Sequence, residues 1–157
     1  MEKIYNLLVT HSKSCILSKK IDYLVPCITS IVLSNDLINE LDKKKLFSWN
    51  EQKYNKKKID YLSTNKFDMY TIGWLPKQYT SIHDHPIFGC ILCLLTGTIE
   101  EKLYDKKLNL IKTTIIKGPY VSYIDNEIGF HSIKCIDKAL TLHIYSPANY
   151  KPFLMSV

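Results

Sequence analysis

Through the first fifty residues apolar side chains recur three and four apart, and from about residue 66 they recur at every second position. Ile4, Leu7 and Leu8 give a short helical stripe. Ile21 to Leu33 reads as a second, less regular helical segment that Pro26 is expected to interrupt. Ser34-Asn35-Asp36 offers capping chemistry for a third, whose apolar positions are Leu37, Ile38, Leu41 and Phe47. None of these segments carries a polar cluster, so residues 1–50 read as a helical block that packs on a sheet.

The period of two begins where Phe67, Met69 and Thr71 alternate with Asp68, Tyr70 and Ile72, and it runs to Gly73-Trp74. Short strand-like runs follow at 87–96, 98–105, 108–117, 119–124, 130–136 and 139–145. Gly97, Asp105-Lys106-Lys107, Gly118-Pro119 and Asp125-Asn126 separate them. This pattern predicts a mainly β fold, a small barrel or jelly roll over 66–147 with the helical block packed against it. With no repeat, low-complexity tract or linker, residues 1–157 are expected to form one domain.

Composition narrows the function classes. Hydrophobic content of 46% with 23% charged residues is ordinary for a globular protein. The net charge of +6 comes from 21 lysines with no arginine, and without arginine forks a nucleic-acid reader is disfavoured. Lys43-Lys44-Lys45 and Lys56-Lys57-Lys58 read first as solvated faces. No apolar run approaches the roughly 18 residues of a membrane helix, so no membrane partner is expected. Five cysteines and no secretory signal suggest free thiols, a reducing compartment and a cytoplasmic address.

The chemistry concentrates at Thr80-Ser81-Ile82-His83-Asp84-His85-Pro86. On a strand, histidines two apart point to one face while Asp84 points away. Two imidazoles aimed at one point, without thiolates at zinc-finger spacing, suggest an open metal site rather than a closed structural one. An isolated pair of this kind is more often a core histidine beside a turn cap. No glutamate stands beside it at the spacing a zinc hydrolase needs. Thr141, His143 and Tyr145 likewise share one strand face, with Leu142 and Ile144 on the other. That face lines either the barrel or the solvent. Trp74 and Tyr79 read as core, and His11 as a surface residue of the helical block.

Gly73 to Gly97 reads G-(x9)-H-x-H-(x4)-C-(x6)-G, which resembles the first motif of the cupin superfamily with Cys90 where many members carry a glutamate ligand. Taken with Tyr123-Ile-Asp-Asn-Glu-Ile-Gly-Phe-His131 and Leu142-His-Ile-Tyr-Ser-Pro147, it closely resembles the cysteine dioxygenase family of thiol dioxygenases, over roughly residues 46–147. The resemblance implies a cupin barrel with N-terminal helices, Fe(II) held by His83, His85 and His131, and a relay of Thr141, His143 and Tyr145. It implies that Cys90 can form a thioether with Tyr145, whereas Cys93, on the opposite strand face, reads as packing. The carboxylate-binding Tyr-x-Arg segment falls on Tyr54-Asn55-Lys56, with lysine replacing arginine; a shift of one residue would put Lys57 there instead.

Three neutral imidazoles would leave the metal its full charge and about three open positions. A thiol, an amine and dioxygen could share them, and the family product is a sulfinic acid. L-Cysteine and O2 are therefore the expected partners, taken by a monomer. Another small thiol (3-mercaptopropionate or cysteamine) and a non-catalytic metal-binding cupin stay open. Three histidines alone would suit zinc or nickel equally.

Overall fold

Cys90 to Leu95 form an unbroken apolar run with no alternation, because this stretch is buried on both faces. In the computed structural model, which describes residues 1–14, 20–34 and 36–155, Ile91, Cys93 and Leu95 face the helices. Leu92 and Leu94 face the other way, into a second apolar cluster with Ile72, Trp74, Ile99 and Ile133. Burying each such aliphatic side chain stabilises the fold by about 1.5–3 kcal/mol.

Among the described residues three α-helices precede the sheet: α1 (Glu2–Ser14), α2 (Val25–Leu33) and α3 (Asp36–Lys43). Ile4/Leu8 and Leu37/Leu41 are buried, as the spacing predicts, and Ile28/Val32 form the buried stripe of α2. Pro26 does not interrupt α2. It sits in the first turn, where its missing N–H would have had no partner, so it starts the helix instead. The helical block ends at Lys43, and residues 44–50 are not helical. Asn35, Cys15 and the side chain of His11 lie outside the described residues. Among the described residues, no single helix is long and apolar enough to cross a membrane.

The strands are β1 (Asn55–Lys58), β2 (Asp68–Trp74), β3 (Ile82–His83), β4 (Cys90–Tyr104), β5 (Leu110–Lys117), β6 (Tyr120–Ile124), β7 (Phe130–Tyr145) and β8 (Leu154–Met155). All pairings are antiparallel, in the path β1-β2-β7-β3-β8, with β4 joining β5, β6 and β7. Two boundaries differ from the periodicity. Gly97 is not a turn between strands: at φ +87° it lies inside β4, where the β4–β7 register shifts, and a Cβ there would meet the Lys138 carbonyl at 2.4 Å. The runs 130–136 and 139–145 are likewise one strand, β7. An irregularity in the ladder bends a strand without ending it, so each long strand serves both halves of the sheet.

On β7 the apolar and polar phases separate cleanly. Leu140, Leu142 and Ile144 pack in the helix-side cluster, so Thr141, His143 and Tyr145 point to the opposite face. They are buried there, at 0%, 5% and 8% exposure, and do not form a solvent-facing edge.

Candidate metal centre and its surroundings

His83 on β3 lies directly opposite His131 on β7, which brings their rings to 4.7 Å between centroids. His85 lies just past the end of β3 rather than on the strand, yet its ring comes within 5.4 Å of His83 and 4.6 Å of His131. Its backbone N–H donates to Asn126 Oδ1 at 2.7 Å, which fixes the segment against the β6–β7 connection. Asp84, expected to point away, accepts from Phe153 N–H at 2.6 Å and from the Tyr150 hydroxyl, tying the C-terminal segment across the site.

The ligand atoms of the three histidines all lie within 4.8 Å of one another. His83 Nδ1 contacts the Ser81 carbonyl at 2.9 Å, and His131 Nδ1 contacts Glu101 Oε1 at 2.7 Å. Both partners are acceptors, so each Nδ1 carries the proton and each Nε2 keeps its lone pair. His85 is buried, and among the described residues neither of its ring nitrogens has a hydrogen-bond partner. Burial, with the neighbouring imidazoles of His131 and His83, holds its pKa well below the ordinary histidine range. Burial also lowers the pKa of His83 and His131. Neutral imidazoles with free lone pairs and an orphaned buried nitrogen fit a divalent metal.

Beside this cluster, Trp74 Nε1–H donates to Thr141 Oγ1 at 2.9 Å. His143 Nε2 lies 3.0 Å from the same oxygen, and His143 Nδ1 lies 3.3 Å from the Tyr145 hydroxyl. Burial, then the positive charge of Lys56, keeps His143 neutral. Burial drives the Tyr145 phenol well above its ordinary range, so it stays protonated. Cys90 is paired directly across the ladder with Tyr145, and its sulfur lies 3.9 Å from His143 Nδ1. Burial pushes the Cys90 thiol up to about 12 even with Lys56 opposing it.

The two lysine candidates separate by strand phase. Lys56 pairs with Ile72 and shares the inward phase, whereas Lys57 pairs with Thr71 on the outward one. Lys57 Nζ accordingly donates to the Lys45 carbonyl at 2.7 Å, away from the site. Lys56, an exposed residue on the edge strand β1, brings its ammonium over the rings of Tyr70 (4.3 Å) and Tyr145 (4.7 Å). Burial lowers its pKa, and the structure gives it no carboxylate partner among the described residues. Tyr54, also on the inward phase, packs on Trp74 at 4.7 Å rather than turning outward. Tyr79 is 68% exposed and belongs to no core.

Four residues of the surroundings carry no motif: Glu101, Trp74 as a donor, Tyr70 and Tyr150. Glu101 had one legible signal, a carboxylate on the strand face shared with Ile99 and Leu103. Trp74 could be assigned to the core but not to Thr141. Tyr150 approaches Tyr145 at 6.1 Å through a turn that no periodicity reports.

Residues 27–152 match the family model described as cysteine dioxygenase type I. Among curated relatives, cysteine dioxygenase type 1 of Bos taurus is 32% identical over 108 residues, 63% of this chain and 54% of that protein. The Danio rerio protein of the same name is 26% identical over 119 residues, 69% of this chain and 59% of that one. The chain thus spans about half the length of the curated relatives it matches. Among solved structures, a Klebsiella pneumoniae protein with a double-stranded beta-helix domain aligns with TM-score 0.59 at 14% identity, over 73% of this chain and 94% of that one. A cupin superfamily protein from Desulfitobacterium hafniense aligns with TM-score 0.54 at 10% identity, over 66% and 85%. At such identities the likeness shows the fold alone, a cupin barrel, as the resemblance implied and in keeping with the barrel or jelly roll the strand pattern predicted. From the match over residues 27–152, the chain belongs to the cysteine dioxygenase type I family.

Proposed function

We propose that this chain is a non-haem Fe(II) thiol dioxygenase that oxidises L-cysteine with O2 to cysteine sulfinate. The observation that carries the reading is a three-imidazole cluster together with a buried phenol, that of Tyr145, over whose ring stands an ammonium with no carboxylate partner among the described residues. His83 and His131, through Nε2, and one nitrogen of His85 would hold the iron. Iron bound there would supply the Lewis acidity that favours a thiolate and the redox chemistry that takes both oxygen atoms into the product.

The chain's own residues bind, orient and hold protons. Lys56 receives the substrate carboxylate as a point charge, exchanging its aromatic contacts for an ion pair in a partly dry site. Thr141 accepts from Trp74 and donates to His143 Nε2, which leaves the Nδ1–H to donate to the Tyr145 oxygen. In that arrangement the Tyr145 O–H is free to donate into the pocket, and the phenol is too high in pKa to lose its proton unaided. Cys90 stands beside Tyr145 as the partner for a thioether. The C-terminal segment, tied to Asp84, helps keep water out.

Lys56 also favours a second substrate. A point charge makes no bidentate demand, so 3-mercaptopropionate, which keeps the carboxylate, fits better than cysteamine, which lacks it. The test is anaerobic loading with Fe(II), addition of cysteine and then oxygen, and mass detection of the product. Formation of cysteine sulfinate with matching oxygen uptake is expected. A metal-loaded protein that consumes no oxygen with any of the three thiols would reduce the reading to a metal-binding cupin.

A further inference from the structure

The three histidines of the cluster are supported unequally. His83 leans on a backbone carbonyl and, among the described residues, His85 has no hydrogen-bond partner for its ring, whereas His131 faces a carboxylate, that of Glu101. The placement follows from β4: Leu103 lies opposite His131 and Glu101 opposite Ile133, so Glu101 stands one inward position along the same face. Ile99 on that face is fully buried, and a charged side chain in such company needs a reason. The Glu101 carboxylate is largely sheltered from solvent. Lys112, on β5, is the cation it feels, but the two form no ion pair among the described residues. A carboxylate desolvated against a neutral imidazole is electrostatically incomplete, because the ring offers a hydrogen bond but no positive charge. A divalent cation on the far nitrogen of that ring would supply it.

We propose that Glu101 is a positioning residue for the metal, holding His131 through its Nδ1–H and lending the ring negative charge. The three-imidazole set then acts as a site with a carboxylate one hydrogen bond further out. The bond fixes the tautomer that leaves Nε2 free, aims the ring, and raises its basicity as a ligand. It also offsets part of the +2 charge that three neutral imidazoles would otherwise leave on the metal. This rests on the proposed metal role of His131.

The test uses the whole chain and Co(II) as the probe, with no thiol present. Binding is measured by calorimetry, and the visible cobalt bands report the ligand field. Glu101→Leu is expected to weaken Co(II) binding by about 10–100-fold. Glu101→Gln keeps an acceptor of the same shape without the charge, so its binding should fall between wild type and Glu101→Leu, with shifted cobalt bands. Should Glu101→Leu fail to fold, Glu101→Gln carries the test. Binding and bands of Glu101→Gln equal to wild type would overturn the proposal. A wild-type protein that binds Co(II), shows this order among its variants and yet forms no sulfinate when loaded with iron would refute the dioxygenase reading and leave this inference standing.

Discussion

Trp74 on β2 gives its indole proton to Thr141 on β7 over 2.9 Å, and both side chains are almost completely buried. The bond joins a core aromatic to the series Thr141, His143 and Tyr145, so packing and the site share one hydroxyl. Thr141→Val keeps the volume but leaves the indole N–H and His143 Nε2 without that partner. A loss of about 1–3 kcal/mol in denaturant unfolding is expected, together with reduced thiol oxidation. Thr141→Ser keeps the hydroxyl and should retain most of both. A valine variant as stable and active as wild type would show that the hydroxyl contributes nothing.

Lys56 sets a charge requirement on the substrate. Lys56→Met keeps most of the stem and removes the ammonium that sits over Tyr70 and Tyr145. Losing one partner of a sheltered charge pair costs about 2 kcal/mol or more. KM for cysteine should therefore rise at least thirtyfold, with a smaller change in kcat. Lys57→Met should change neither, because that ammonium is spent on the Lys45 carbonyl. Steady-state oxygen uptake on the two variants checks both statements.

Removing the Tyr145 hydroxyl tests proton handling. Tyr145→Phe keeps the ring against Tyr70 and Tyr150. Turnover should fall by about 10²-fold or more while Fe(II) content stays unchanged. Metal analysis beside the rate measurement separates this from loss of the metal.

Cys90 and Tyr145 face each other across the β4–β7 ladder. The thiol, raised to about 12 by burial, is not a thiolate at neutral pH, so a thioether should not form on standing. It should form only during turnover, with oxygen accepting the two hydrogens lost. Intact-mass analysis should show a species lighter by two hydrogens that accumulates with cycles and is absent from Cys90→Ala.

Asp125 provides the pH dependence of the loop behind His85. Burial would raise its pKa, but Lys20 at 2.7 Å, the Ile128 amide, the Tyr123 hydroxyl and the Glu127 amide outweigh that and hold it at about 2. A folded-state value below the ordinary 3.8 means stability that is present above pH 4 and is lost as the pH falls towards 2. Asp125→Asn should be less stable at neutral pH and should lose less on acidification over that interval. Thermal midpoints of the two proteins from pH 6 to pH 2 would show it.

The sequence by itself determined what depends on spacing along one strand. The side-chain period of two put Thr141, His143 and Tyr145 on one face, and the motif set named the three histidines together. The apolar stripes of the helices were legible for the same reason, since local geometry fixes which residues share a face. Only the tertiary structure decided what depends on register between strands. The β1–β2 pairing turned Lys56 inward and Lys57 outward, and the β4–β7 pairing set Glu101 beside His131. The turn after β7 brought Tyr150 back to Asp84. Whether the polar face of β7 met water or the barrel was likewise settled by the helices that cover its apolar face. Each of these contacts joins residues far apart in the chain, and a shift of one residue in pairing would have reversed it.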